Sequence, residues 1–414
     1  DSALIMKTDI NAKEKNDKLI VSGSAEGASQ VAVYNTKASG AERSDALILV
    51  KGDSSKAKFE LGNADITAGG ISYISAGAWK YRLENSEVTD NKEGTSAMDA
   101  TNAAREWYLL KDGTSATGDA IAQAAIQHDL WYTETNTMTK RLGIYRDNMW
   151  NGGFWIEAAA NKEDFKIEKT NMLNENQNFK TGTIGYDRKY ETDKGTTWYG
   201  IMAGYGKNTS DLAGGTGALD IKSYHASLYA VHRRTDGIYI NTILKYNKYQ
   251  NEMEITKKDS FTKDLAGYDG GEWDQNGLGI SLQAGRKIDL SKGWYAEPQL
   301  QLSWNRVFAS DYTTKSGIKV DIDDIDYIRL RGGLVFGRQI TYADGRFLDY
   351  YGDISVIHDF DGDATLRMSG AEHKSSLGGT WGTFGIGANY KYADGKFAHI
   401  RVQYSDGTSY REPI

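Results

Sequence analysis

From residue 153 onward, apolar and polar positions alternate with a period of two. Residues 296–305 put Ala296, Pro298, Leu300, Leu302 and Trp304 on one face, with Glu297, Gln299, Gln301, Ser303 and Asn305 on the other. Residues 398–405 set Ala398, Ile400, Val402 and Tyr404 against His399, Arg401, Gln403 and Ser405. Residues 238–246 and 278–285 alternate in the same way. Successive side chains of a strand point to opposite faces, so each segment predicts a strand with one apolar and one polar side. Eleven strands are predicted, near 153–160, 179–191, 197–206, 221–234, 238–250, 276–290, 294–308, 326–341, 347–358, 380–392 and 396–406.

A soluble sheet also alternates, so the connections decide. Short glycine-bearing ones at 193–195, 235–237, 291–293, 343–345 and 393–395 fall between long polar ones near 161–178, 207–220, 251–275, 309–326 and 359–379. Tyr205, Tyr246, Trp304 and Tyr404 stand near predicted strand ends. Short turns on one side, long loops on the other and aromatic residues at the rims describe an antiparallel transmembrane β-barrel.

The regions ahead of the barrel differ. Residues 1–112 hold short apolar runs, among them 19–21, 31–34, 46–50, 71–74 and 107–110, separated by Gly, Ser, Asp and Asn. Such runs predict the coils of a β-solenoid or a small sandwich. Residues 113–147 read as a helix, capped by Ser115 or Asp119 and ended by Gly152 and Gly153. Spanning 119–147, it would be about 43 Å long. It is too polar to face lipid and needs a wet, protein-lined path or an interdomain position.

Composition narrows the function. A net charge of −7 argues against nucleic acid as a partner. With no cysteine, thiolate chemistry and disulfides are excluded. The two prolines, Pro298 and Pro413, suit long sheets, because proline cannot donate to a ladder. Mean hydropathy is −0.57 and no apolar run is long enough for a transmembrane helix, a test that is blind to barrels. The chain opens at Asp1 without a basic or apolar leader and reads as a mature or excised fragment.

In this order, several segments resemble the C-terminal part of a Gram-negative autotransporter of the pertactin and serine-protease-autotransporter kind. Residues 17–27, 59–61, 71–73 and 107–109 resemble the autochaperone end of a passenger β-helix. Residues 134–143, followed by Arg146 and Asp147, are similar to the family's linker. Residues 198–205, 284–286 and 294–299 resemble successive barrel strands. The resemblance implies an all-β fold in which a twelve-stranded barrel is threaded by the linker helix. The domains would be 1–112, the passenger end; 113–150, the linker; and 151–414, the barrel. Short turns would be periplasmic and long loops extracellular. The function implied is anchoring and export of the protein's own passenger in type V secretion. The partners implied are outer-membrane lipid and lipopolysaccharide, the barrel-assembly machine, periplasmic chaperones and the passenger itself. An open porin or a barrel enzyme are the alternatives.

The polar strand faces then become a lumen lining that includes Glu157, Asn241, Lys245, Gln299, Gln301, Arg329, Arg331 and Arg401. Glu134, Lys140, Arg141 and Arg146 of the linker would face it, and a buried charge requires a partner. In some relatives a linker asparagine cyclises onto its own carbonyl and breaks the chain, assisted by a lumen acid. Asn136 matches that asparagine, but Thr137 follows it in place of the relatives' asparagine. Asn241 stands where the acid would be, and an amide is no general base. An uncleaved protein is expected.

No other chemistry is legible. The six histidines form no HExxH, and there is no GxSxG. Residues 214–217 are loop glycines rather than a phosphate cradle, lacking the lysine that would follow. The acid run 321–326 has oxygen ligands suited to Ca²⁺ but reads as a solvated loop. No cofactor or metal is expected. Residues 406–414 read as a loop and the start of a return. Bacterial single-chain barrels carry even strand counts, so eleven implies a missing last strand. The seam between 153–160 and 396–406 is expected to be open, or closed by another chain.

Overall fold

In the computed structural model the described residues are 2–10, 16–21, 26–35, 47–52, 56–66, 70–85, 107–115, 117–118, 121–122, 128–167, 172–212, 217–256, 268–360, 362–375, 378–393, 396–407 and 410–412. Asp119 and residues 214–216 lie outside them, as do the side chains of Thr137 and Lys140.

Among the described residues, twelve strands and a two-residue extension at Ile288–Asp289 form one antiparallel sheet that closes on itself. The strands are β1 (Gly152–Ile167), β2 (Met172–Thr192), β3 (Gly195–Leu212), β4 (Gly217–Arg234), β5 (Ile238–Thr256) and β6 (Tyr268–Arg286). The second half comprises β7 (Trp294–Val307), β8 (Ile325–Thr341), β9 (Phe347–Asp359), β10 (Gly379–Ala393), β11 (Lys396–Gly407) and β12 (Tyr410–Glu412). The eleven strands legible in the sequence are β1 to β11. The twelfth is three residues long and pairs on one side with Ser405 and Asp406, on the other with Asp164 and Phe165. No register joins β1 to β11 directly among the described residues; the sheet closes only through β12, at the rim of the long loops.

The barrel is inside out by the standard of a soluble protein. Phe154, Ile156, Ile184, Leu228, Leu300 and Ile400 all point outward and are exposed, Phe154 by 83%. Their strand neighbours point inward and are polar: Glu157, Thr183, Asn241, Gln283, Gln301 and Ser303 are each buried to 7% exposure or less. An apolar patch of this extent is untenable in water, and a closed strand ring leaves few backbone groups unpaired in lipid.

Three long connections differ from their expected form. Much of 161–178, 207–220 and 251–275 continues the strands, so β2 alone spans 21 residues. At about 3.4 Å per residue that is roughly 70 Å, which carries the hairpins well past a bilayer. The connections 309–326 and 359–379 fold together into a separate four-stranded antiparallel sheet of Ser310–Thr313, Lys319–Ile322, Ala364–Met368 and Ala371–Ser375. Val320, Ile322, Leu366 and Met368 are buried there. The acid run therefore spans the end of one strand of this sheet, the link at Asp323 and Asp324, and the start of β8. Asp323 pairs with Arg367 at 2.9 Å and Asp326 with Arg306 at 2.5 Å.

The N-terminal region is a solenoid end. Ser2–Thr8, Glu26–Asn35 and Lys56–Leu61 stack as a parallel sheet, and Leu19–Val21 pairs in parallel with Leu47–Gly52. Successive coils bring Met6, Val31, Val33, Leu49, Val50 and Phe59 into one apolar interior. Antiparallel strands Ser72–Ala76, Trp79–Asn85 and Trp107–Thr114 close it. The same apolar cluster continues into the loop-rim residues Phe179, Tyr249, Tyr312 and Leu366.

Candidate functional site

The lumen is filled by helix α1, His128–Arg146. Its 19 residues span about 28 Å. The expected helix began earlier, at 113, but residues 111–114 remain in strand because Thr114 pairs with Trp79. Ser115 then accepts the Gly118 amide at 3.1 Å, the geometry of a cap, and residues 117–118 and 121–122 are helical.

Two lumen glycines make room for the helix. A Cβ on Gly206 would lie 2.5 Å from Glu134 Oε1, and one on Gly279 would lie 2.6 Å from the Trp131 ring. Near these glycines, Glu134 and Lys245 are both fully buried and meet at 2.5 Å. Asn247 donates to Glu134 at 2.7 Å, and Lys245 Nζ donates to the Trp131 carbonyl at 2.9 Å. The pair carries opposite charges in a dry site with further hydrogen bonds, the condition under which burying two ions is tolerated.

Near the loop rim, Arg329 stacks 3.7 Å from the Tyr132 ring centroid and is held by Asp359 at 2.7 Å. Asn136 borders a void of about 40 Å³ with Gln301, Arg329, Arg331 and Arg401. Arg331 donates to Ser355 and Gln299, and Arg401 to Asp353 at 2.6 Å. Asn241 is buried, and Glu157 meets His399 at 3.1 Å between the two edge strands β1 and β11.

Toward the turn rim the helix ends in a second charged cluster. Arg146 contacts Glu297, and reaches Asp349 at 3.0 Å and Asp147 at 2.6 Å. Tyr239 donates to Glu297 at 2.5 Å, and Tyr295 to Asp349 at 2.9 Å. Asp147 continues the network to Lys287 at 3.0 Å and Gln339 at 2.7 Å. Arg141 differs from expectation. No carboxylate meets it in an ion pair among the described residues; its guanidinium lies over Trp155 at 4.4 Å, between Tyr145 and Trp150. The nearby carboxylate, Asp187, is taken up by Tyr145, Trp150 and Tyr229, each donating at 2.6 Å. The delocalised guanidinium is weakly hydrated and finds the ring faces instead.

The carboxylates Asp187, Glu297, Asp349, Asp353 and Asp359 were not singled out in the sequence. Strand parity marked them, since Glu297 shares its face with Gln299 and Gln301, and Asp353 and Asp359 share one with Ser355. The arrangement holds the helix in the tube by ion pairs at Glu134 and Arg146 and, between them, by packing of Met138, Leu142 and Tyr145 against Trp155, Trp198 and Tyr229. Beside it are two voids of about 40 Å³ each, room for a few water molecules.

A family model described as the autotransporter β-domain matches residues 154–405, and one described as pertactin matches residues 1–96. The pertactin autotransporter of Bordetella bronchiseptica is 26% identical over 96% of this chain and 45% of its own length. The BrkA autotransporter of Bordetella pertussis is 26% identical over 98% of this chain and 37% of its own. The chain thus spans less than half the length of these relatives. Among solved structures, the β domain of Bordetella BrkA superposes with a TM-score of 0.53 at 23% identity, covering 64% of this chain and 95% of that one. The transport unit of AIDA-I from Escherichia coli superposes at 0.52 and 17% identity, covering 66% and 95%. Both are alike in fold.

Proposed function

The chain belongs to the autotransporter β-domain family, and from that membership we propose that it is the anchoring and translocating end of a longer surface protein, which exports its own N-terminal passenger by type V secretion. The barrel lies in the outer membrane with the passenger end at the cell surface. The single observation that carries the reading is α1. It runs from the loop rim, where the solenoid end sits, through the lumen to the turn rim, where β1 begins. A chain laid out this way has already passed through its own barrel. In the proposed division, residues 1–112 template passenger folding, 113–150 form the linker and 151–414 anchor it.

The passenger stays attached in this reading. The backbone is helical on both sides of Asn136, and the void beside it is lined by Gln301, Ser303, Arg329, Arg331, Arg401 and Gln403, with no carboxylate. Cyclisation needs a base within hydrogen-bond reach. Outer membranes from expressing cells should yield one uncleaved species on denaturing gels, unchanged by Asn136→Gln. Paired fragments meeting at residues 136–137, abolished by that substitution, would sink the anchored reading. Surface proteolysis tests export itself: residues 17–110 should be digested in intact cells only when their solenoid core is broken, for example by Val33→Asp.

The barrel-assembly machine and periplasmic chaperones are proposed partners. Below β12, no register joins β1 to β11 among the described residues, and an unpaired backbone group costs several kcal/mol in lipid. A strand continuing along β12 would pair with both. During assembly, the edge strand of another chain would fit the same place.

A further inference from the structure

The outward wall of β2 to β5 carries three stacked rows whose chemistry changes in order. The lowest includes Ile184, Ala203, Ala226 and Tyr246, which lie side by side in register. Ala203 and Ala226 leave a notch between the larger Ile184 and Tyr246. With Leu228 and Leu244 beneath, they line an apolar groove of about 540 Å³. In the row above, Tyr205 and Tyr224 pair across the strands with ring centroids 5.4 Å apart.

The next row up is Lys180, Lys207 and Lys222, directly cross-strand from one another. All three point outward, being on the opposite parity to the buried Phe179, Asn208 and Ser223. Neighbours at such positions have Cβ atoms about 5 Å apart, and like charges there destabilise a sheet. Lys207 is answered by Asp220 at 3.0 Å, and nearby Lys248 by Asp274 at 2.9 Å. Lys180 and Lys222 have no carboxylate partner among the described residues. Asp220, Glu252 and Glu272 occupy the row above on β4 to β6, which confines the uncompensated positive charge to β2 through β4.

The height of the row fits a membrane boundary. Lys207 stands twelve positions from Gly195 at the turn rim, as Lys180 does from Thr192 and Lys222 from Arg234. With a strand tilt near 40° that is about 30 Å along the barrel axis, one hydrocarbon thickness. The turn rim is periplasmic, so the lysines meet the headgroups of the outer leaflet.

We propose that this wall is a binding site for a phosphorylated lipid of the outer leaflet: phosphate on Lys180, Lys207 and Lys222, and an acyl chain in the groove at Ala203 and Ala226. The site rests on the outer-membrane placement of the barrel. A ligand that joins an anionic head to an apolar tail answers both halves of the wall. It also relieves a like-charge row in which only Lys207 meets a carboxylate among the described residues.

The test uses the purified chain in neutral detergent, titrated with diphosphoryl lipid A and with the same lipid stripped of its phosphates, with bound lipid counted by native mass spectrometry. Each lysine near an anionic surface contributes roughly a fivefold gain, so the wild-type protein should prefer the phosphorylated lipid by roughly tenfold or more. The variant K180Q/K207Q/K222Q should lose the preference. Ala203→Trp, which fills the notch, should weaken both lipids several-fold and leave the preference in place. Heat-modifiable gel migration of each variant separates loss of the site from loss of the barrel. Equal retention of the two lipids by the wild-type protein, or an unchanged preference in the triple variant, would overturn the proposal. So would a two-chain species that Ala203→Trp dissociates, because the groove would then serve a second copy.

Discussion

The Arg146→Ala variant should unfold about 3–5 kcal/mol more easily than the wild-type protein, the cost of breaking a buried ion pair by removing one partner. Arg146 is 5% exposed and stands against Glu297, Asp349 and Asp147 at the end of α1. Without it, three carboxylates crowd a low-dielectric pocket, and, of the three, Lys287 meets Asp147 alone in an ion pair among the described residues. Charge removal on both sides is different. In Arg146→Met with Glu297→Gln and Asp349→Asn, no unpaired ion remains, and most of the loss should be recovered. Denaturant unfolding in micelles, followed by heat-modifiable migration, measures both. A change below about 1 kcal/mol in the alanine variant, the range of an exposed pair, would mean that the helix end is not seated in the lumen.

The second large effect is electrical. A helix is about 10 Å across with its side chains, and two voids beside α1, among the described residues, are about 40 Å³ each. The intact protein should therefore conduct weakly in planar bilayers. A variant lacking residues 1–146 opens a lumen lined by Lys245, whose partner Glu134 goes with the helix, and by Arg329, Arg331 and Arg401 with Asp359 and Asp353. Its conductance should rise by roughly tenfold or more, since the cross-section freed is that of a whole helix. Equal conductance with and without the helix would favour the porin reading and remove the plug.

The barrel strands were legible because a membrane strand must keep strict parity: one slip in register turns Ile400 and Val402 toward the lumen and His399 and Arg401 toward lipid. The same rule located the lumen lining but not its pairings. Lys245 belongs to a polar face in the sequence; that it meets Glu134 depends on the height and rotation of α1, which no local pattern records. Arg141 shows the limit most clearly. Charge alone assigns it to a carboxylate or a carbonyl, whereas the packed site offers the face of Trp155 and gives Asp187 to three neutral donors. The sheet built from 310–375 was hidden by composition. Val320 and Ile322 alternate with Lys319 and Asp321 as a strand should, but the adjoining acids read as loop. Short strands such as Ser2–Thr8 and Lys56–Leu61 are held by stacking between solenoid coils, so their own sequence carries little signal.

The central claim is that the chain runs through its own barrel with its N-terminal part outside the cell. Single cysteines in this cysteine-free chain measure it directly, with a membrane-impermeant maleimide added to intact cells and then to cells with permeabilised outer membranes. Ile20, 71% exposed on the solenoid end, Met138, fully buried on α1, and Lys194, exposed in a turn, report on the three compartments. The expected result is that the cysteine at 20 is labelled in intact cells, that at 194 only after permeabilisation, and that at 138 in neither until the barrel is unfolded. Free labelling at 138 in intact cells, or labelling at 20 that waits for permeabilisation, would contradict a threaded, exported chain.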